Sequence, residues 1–219
     1  IKAALVLLSN ILIGVGVGFM RIACLGTDPY SCFGLGIANF LRKGCHWNFM
    51  TFGLCLALLN ALLLIVIFIT MKHRIGFGTI CNMLLVGVSA DGANYVLSIL
   101  LGTELGIIAR IVTYLIGFLL VGGAAGFYMA GEMGMSAYDA LGYISEELME
   151  KKGKKGLSYR WCRIICDFVC VVVGIAFGST VGVIWEIAGV GTALMVFGAG
   201  PLIQAVCDGP GKKVFSKLS

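Results

Sequence analysis

The sequence predicts an all-α, polytopic membrane protein with six long transmembrane helices, two short re-entrant or interfacial helices and a two-fold internal repeat, which we expect to be inverted. Three observations predict it: the composition, the long apolar runs and the similarity between the two halves of the chain. Of the 219 residues, 59% are hydrophobic and 12% are charged, and the mean hydropathy is +1.01. A soluble domain averages about 25% charged residues, so lipid must be the main solvent of this chain.

Long apolar runs set the helix lengths. An α-helix rises about 1.5 Å per residue, so roughly 20 residues cross about 30 Å of hydrocarbon. The first run is long and lacks a small-residue cleavage site, so we interpret it as a retained span and not as a signal peptide. The predicted long helices lie near 3–24, 48–71, 77–100, 106–131, 160–184 and 189–207, and the short helices near 29–43 and 137–151.

The two halves of the chain are similar in sequence. An offset of 108 residues aligns the identical pairs Gly18/Gly126, Phe19/Phe127, Gly26/Gly134, Tyr30/Tyr138 and Gly34/Gly142. A second block, at an offset of 113, aligns residues 76–79 with 189–192. We therefore predict a single transmembrane domain, 1–219, with one repeat at about 3–100 and the other at about 106–208.

The second short helix decides the predicted topology. It carries four acidic residues within 137–151 and is too short and too charged to span a bilayer. Three crossings per half then require the second half to insert upside down, as in many transporters. The positive-inside rule places both termini in the cytoplasm. An eight-crossing model with parallel repeats fits the charges about as well, so the prediction depends on the polarity of this helix.

Two polar hinges precede the short helices, LGTDPYSC at 25–32 and MGMSAYDALG at 133–142. Asp28 followed by Pro29 is typical of a helix start, and Ser136 is the equivalent residue in the second half. A helix N-terminus carries free donors and partial positive charge, so the two starts could hold an anion or a carboxylate. Simple capping, with Tyr30 and Tyr138 in an aromatic belt at the interface, explains the same pattern.

Asp91 is the strongest single indication of a functional site. It lies about fifteen residues into the apolar segment that begins at Gly76, where an acid is costly unless it pairs, is protonated or lines a wet cavity. Its repeat equivalent is polar as well. The predicted substrate or ion pathway comprises Asp28, Tyr30, Thr79, Asn82, Asp91, Ser136, Tyr138, Asp139, Thr192 and Gln204. Interhelical hydrogen bonding or close packing is the alternative for the asparagine and the threonines.

Enzymatic motifs are missing from the sequence. The two histidines, His46 and His73, fall in predicted loops, and no HExxH, phosphate-binding or nucleotide-binding motif is present. We therefore expect no enzyme activity, no catalytic residue, no metal ligand and no cofactor. Membrane orientation accounts for the net charge of +5, so no nucleic acid partner is expected.

The first hinge and the segment IGFGTICNMLLVGVSADG, residues 75–92, resemble the YczE/YitT-like family of small bacterial integral membrane proteins. The resemblance covers nearly the whole chain and implies a location in the bacterial plasma (inner) membrane, but the family is poorly characterised and implies no substrate. It rests on Gly26, Asp28, Pro29, Tyr30, Gly76, Gly78, Thr79, Asn82 and Asp91. In the second half Met135, Ser136 and Ala137 replace Thr27, Asp28 and Pro29, so the two hinges are not expected to act alike.

The functional hypothesis from sequence is a transporter or permease-like protein for a small polar or anionic solute, with its site between the two repeats. The alternatives are a substrate-binding subunit of a multi-subunit importer and a non-transporting accessory membrane protein. The expected partners are the lipid bilayer, the solute, and further copies of the chain or accessory subunits.

Overall fold

Helices make up all the regular secondary structure in the residues that the computed structural model describes, 1–71, 76–102, 105–134, 136–151 and 159–217. Two π-helical turns, Phe40–Gly44 and Cys207–Gly211, extend the second helix and join the last two. The helices are α1 (Lys2–Ala23), α2 (Pro29–Asn39), α3 (Phe52–Met71), α4 (Phe77–Leu101), α5 (Ile107–Ala130), α6 (Ala137–Lys151), α7 (Tyr159–Ser179), α8 (Ile184–Ile187), α9 (Val190–Val206) and α10 (Lys212–Ser216).

Six helical segments of the described ranges are long and apolar enough to cross a membrane: 2–23, 52–70, 77–101, 107–130, 162–179 and 190–216. Their outward faces carry exposed apolar side chains such as Phe68, Val190 and Phe197, which suits contact with lipid. The predicted fold class, an all-α multi-pass membrane protein, is confirmed. The basic loop at 152–158, which contributed to the predicted orientation, lies outside the described residues.

The seventh helix differs from its prediction at its C-terminal end. It ends at Ser179 and not near 184, because the chain turns at Gly182, whose φ of 73° is in the left-handed region. The short helix α8 follows this turn and was not predicted.

α1 runs through the middle of the bundle, against α4 on one side and α5 on the other. Gly14 faces Val86 and Ala90 of α4, and Gly18, one turn later, faces Ala90 and Asn94. Positions later in α1 therefore meet positions later in α4, so the two helices are parallel. Glycine at both contacts lets the backbones approach closely, as is common between helices in lipid.

The contact between α1 and α5 has the opposite sense. Gly16 faces Gly117 and Val121, while Met20, further along α1, faces Gly117. The two helices are therefore antiparallel. Since they are equivalent under the offset of 108 residues, the two halves run in opposite directions at this contact. The boundaries of the two repeats stay a prediction.

Each short helix packs against the third helix of both halves, because α2 contacts α3 and α7, and α6 contacts α7 and α3. On α2, Gly36 meets Gly174 of α7 so closely that a Cβ on Gly36 would lie 2.3 Å from the Gly174 carbonyl oxygen. The corresponding contact in the other half is filled by side chains, Ala140 and Ile144 against Ile67.

The two hinges, defined here as residues 24–28 and 132–136, bind the start of the last long helix of the opposite half, α9 and α4 respectively. The Gly191 N–H at the start of α9 donates to the Leu25 carbonyl (2.8 Å), and the Gly78 N–H at the start of α4 donates to the Met133 carbonyl (2.7 Å). The repeat offsets relate these two bonds to each other. Each half therefore completes the backbone hydrogen bonding of the other.

Glycine is required in both hinges. Gly26 has a φ of 100° and Gly134 a φ of 121°, which a side chain would strain. A Cβ on Gly26 would also lie 2.5 Å from the Gly189 backbone nitrogen. The preceding positions, Cys24 and Glu132, share a φ near 50°. The two hinges thus share their φ values at these two pairs of positions, although their side chains differ.

Alanine substitutions at two glycines, one inside and one outside the α1–α5 contact, should have opposite effects on stability. A Cβ on Gly16 would lie 2.9 Å from the Gly117 carbonyl oxygen, whereas a Cβ on Gly123 meets nothing within 4 Å. We expect Gly16→Ala to lower the free energy of unfolding by about 1–3 kcal/mol through overpacking. Gly123→Ala should raise it by up to about 1 kcal/mol, because alanine favours the helix. Thermal midpoints in detergent measure both, and equal midpoints would contradict this helix contact.

Candidate functional site

The two hinge tyrosines stack on each other. The rings of Tyr30 and Tyr138 have centroids 4.5 Å apart and an interplanar angle of 14°. Each lies in the first turn of a short helix, so the N-termini of α2 and α6 meet at this stack. Because the repeat offset relates the two residues, the stack lies where the two halves meet.

Polar side chains cap both short helices, as the sequence predicts. Asp28 Oδ1 accepts a hydrogen bond from the Ser31 N–H (3.0 Å), and Pro29 occupies the first turn. In the second half, Ser136 Oγ accepts from the Asp139 N–H (3.0 Å). Both helix starts therefore have internal acceptors, which reduces their capacity to hold an added anion.

The short helices begin beside the middle of two long ones. The Tyr30 hydroxyl donates to Asn60 Oδ1 (2.8 Å), and the Tyr138 hydroxyl donates to Asp167 Oδ1. Each acceptor is the ninth residue of its helix, α3 or α7, and so lies roughly 12 Å from that helix's start. The first turns of α2 and α6 are therefore level with the interior of the bundle and not with its ends.

One arginine joins the acidic groups around this stack. Arg163 donates from Nε to Asp167 Oδ1 (3.2 Å) and from Nη1 to Asp139 Oδ1. Its guanidinium also lies 4.2 Å from the centroid of the Tyr138 ring. We call the set formed by Asp28, Tyr30, Asn60, Ser136, Tyr138, Asp139, Arg163 and Asp167 the central cluster. The cluster as described contains three carboxyl groups and one guanidinium, which contacts two of them, so it favours protons or cations.

Asp28 is the least satisfied member of the central cluster. Its Oδ2 atom is buried and has no hydrogen-bond partner among the described residues. Burial raises the pKa of Asp28, and the charge of Asp167 adds to this effect, while the hydrogen bonds from Ser31 and the charge of Arg163 oppose it. A buried carboxyl with one unpartnered oxygen favours its protonated form, which makes Asp28 a candidate proton site.

Asp91 belongs to a different place in the fold. Its Oδ1 accepts from Arg21 Nη1 (2.7 Å), and its Oδ2 accepts from the Gly53 N–H (2.6 Å). The side chains of Arg21 and Asp91 are 17% and 28% exposed, so the ion pair is largely shielded from solvent. The acid is paired, as its depth in the helix requires. Arg21, which is not among the predicted site residues, lies in the last turn of α1.

The remaining predicted residues have structural partners in the described chain or face outward. Thr79 Oγ1 and Thr192 Oγ1 accept from the N–H groups of Gly76 (3.2 Å) and Gly189 (3.3 Å), which start α4 and α9. Asn82 donates to Asn10 Oδ1 of α1 (2.8 Å), which is the interhelical hydrogen bond named as its alternative. Gln204, the repeat equivalent of Asp91, is exposed on α9.

Three members of the central cluster, Asn60, Arg163 and Asp167, were not among the predicted site residues. An offset of 107 aligns α3 with α7 and pairs Asn60 with Asp167, the two tyrosine acceptors. Arg163 stands four residues before Asp167, the spacing of an ion pair on one helix face. Within the described ranges no group of three or more His, Cys, Asp or Glu side chains could hold a metal ion.

The charge balance of the central cluster predicts that a second substitution recovers the stability lost on removing Arg163. Arg163→Gln leaves two carboxylates without their cation, so it should lower the free energy of unfolding. The loss should be smaller than the ~3–5 kcal/mol expected for a fully buried pair, because the Arg163 side chain is 28% exposed. Adding Asp167→Asn should restore much of the loss, because asparagine can still accept from Tyr138, as Asn60 accepts from Tyr30.

The measurement is the thermal midpoint in detergent, with Lys212→Gln as the matched control. Lys212 pairs with Asp208 at the same helical spacing, but both side chains are more than half exposed, so its loss should change little. If the double variant were no more stable than Arg163→Gln alone, the assignment of charge balance to this cluster would be wrong.

Comparison with known proteins gives one match. No curated protein and no solved structure is similar enough to match the chain. The resemblance to the YczE/YitT-like proteins stays a prediction. One family model covers residues 1–208, nearly the whole chain. The chain therefore belongs to DUF6198, a family of unknown function.

Proposed function

We propose that this multi-pass membrane protein is a transporter for a small polar or anionic solute and that the central cluster couples solute movement to protons. The observation that carries the proposal is the Tyr30–Tyr138 stack, which joins the starts of two short helices beside a buried set of acids. Oppositely directed repeats with discontinuous helices are the common plan of secondary transporters.

Half-length helices supply the movable parts that transport needs. The chain between α1 and α2 leaves the helical conformation at Cys24, and the chain between α5 and α6 does so at Glu132. Such breaks can change their φ and ψ angles while the long helices stay rigid. The first turns of α2 and α6 can therefore shift against each other at the tyrosine stack, which would open the cluster to one side or the other.

Asp28 gives this motion a link to pH. When Asp28 is protonated, its Oδ2 atom can remain buried in the closed hinge. When it loses the proton, a charge without a partner for that oxygen becomes costly, and the hinge gains from contact with water. The direction of the pKa shift at Asp28 agrees with this cycle, because burial favours the protonated carboxyl. The carboxyl would take up a proton from one side and release it on the other.

The proposal includes a bacterial plasma membrane location with both termini in the cytoplasm, and no enzymatic reaction. The acidic character of the central cluster assigns it to protons or cations, so the solute itself is expected to bind elsewhere in the bundle or together with a proton.

Proteoliposomes that contain a trapped pH-sensitive dye test the proposed coupling. A panel of small carboxylic acids, amino acids and polyols is added outside, and the pH of the lumen is recorded. We expect at least one class of solute to change the lumen pH in wild-type vesicles. Asp28→Asn should reduce that change to the level of protein-free vesicles, because asparagine keeps the helix cap but cannot carry the proton.

Asp208→Asn is the matched control, because it makes the same chemical change at an exposed ion pair. It should behave like the wild type. A wild-type response that persists in Asp28→Asn would contradict the coupling role. No response to any solute, with insertion verified, would contradict transport and favour an accessory role in the membrane.

A further inference from the structure

A second polar region lies away from the central cluster. A cavity of about 220 Å³ is formed where the end of α1 meets the C-terminal part of α2 and the start of α3. Its polar lining consists of Arg21, Asn39, Arg42 and Asn94, and its apolar lining includes Phe52. None of these residues belongs to the central cluster.

Positive charge is in excess in this cavity. Arg21 is paired with Asp91, whereas Arg42 donates from Nη2 to the neutral amide oxygen of Asn39 (2.9 Å) and has no acidic partner in the described part of the chain. Both arginine side chains line this same cavity. The described residues at this cavity therefore bring two cations and only the one carboxylate that pairs with Arg21, which is the reverse of the balance in the central cluster.

The cavity also limits the size and shape of what it can hold. Its volume is below the roughly 300–1,000 Å³ of sites for drug-sized ligands. The Arg21 guanidinium is held 4.8 Å from the centroid of the Phe52 ring, which fixes one donor group against an apolar wall. Two arginine forks beside amide groups and an aromatic face suit a small organic anion with a planar charged end.

We infer that this cavity binds a small monocarboxylate, whose charged end is held by Arg21 and Arg42. Asp91 competes with the ligand for Arg21, because both present a carboxylate to the same guanidinium. The inference goes beyond the proposed function, since it concerns a separate cavity and holds whether or not the chain transports the anion.

Binding to purified protein tests the inference without a transport assay. Acetate and propionate are titrated at constant sodium concentration, with chloride and nitrate as inorganic counterparts, and the thermal midpoint gives an apparent affinity. We expect acetate or propionate to stabilise the wild type more than chloride or nitrate does. Arg42→Gln should weaken this affinity by about tenfold or more, as expected for loss of a hydrogen bond between charged groups.

Lys43→Gln is the matched control. It removes the same charge at the next position, which is exposed and does not line the cavity. Its apparent affinity should equal that of the wild type. An equal loss in Lys43→Gln and Arg42→Gln would overturn the inference, because it would indicate general surface attraction. Equal stabilisation by chloride would overturn the assignment to a carboxylate.

Asp91→Asn should change the apparent affinity for acetate in the opposite direction to Arg42→Gln. Its amide oxygen can still accept from the Gly53 N–H, but it no longer competes for Arg21 as a charge. We expect the apparent affinity for acetate to rise in this variant, relative to the wild type. A merely structural role of the Arg21–Asp91 pair would lower the midpoint without raising the affinity, and an affinity that falls would overturn the inference.

Discussion

The structure depends on a reciprocal exchange of backbone hydrogen bonds between its two halves. In lipid every backbone N–H and C=O needs a partner within the protein, and a break between helices leaves several without one. The hinge at 24–28 receives its partner from Gly191, and the hinge at 132–136 receives its partner from Gly78. Thr27 adds a bond to the Ile187 carbonyl (3.2 Å). The carbonyls of Leu25 and Met133 thus take their partners from the opposite half, which ties the two halves together.

The exchange also explains where the polar groups lie. It fixes both hinges against the opposite half and so directs the starts of α2 and α6 toward the interior, where Tyr30 and Tyr138 stack. The two halves provide different hydrogen-bond acceptors for the hydroxyl of this tyrosine. In the first, a neutral asparagine accepts from the tyrosine, and in the second an aspartate does so and recruits Arg163. The second half therefore adds an ion pair that has no equivalent beside Tyr30, which makes the polar site of a nearly symmetric fold asymmetric.

Apolar length was enough to predict the six long helices, and the Asp28-Pro29 and Ser136 motifs were enough to predict the capped hinges, because both depend on neighbours in the chain. The short helix α8 and the early end of α7 were missed. The partners of long side chains were not predictable in the same way. Arg21 was not a predicted site residue, yet it reaches 70 positions along the chain to Asp91. Arg163 was not predicted either, although its spacing to Asp167 was a usable signal. Sequence alone shows that two segments are alike, but not that they are in contact.

The opposed orientation of the two halves is tested most directly by the exposure of two equivalent loops. Cys45, which is exposed after α2, and a cysteine introduced by Gly153→Cys between α6 and α7 are labelled separately in a background without other reactive thiols. A membrane-impermeant thiol reagent is applied first to one face of the membrane and then to the other. The antiparallel packing of α1 and α5 predicts that the two cysteines react from opposite faces. Reaction of both from the same face would contradict it and would require α2 and α6 to cross the membrane.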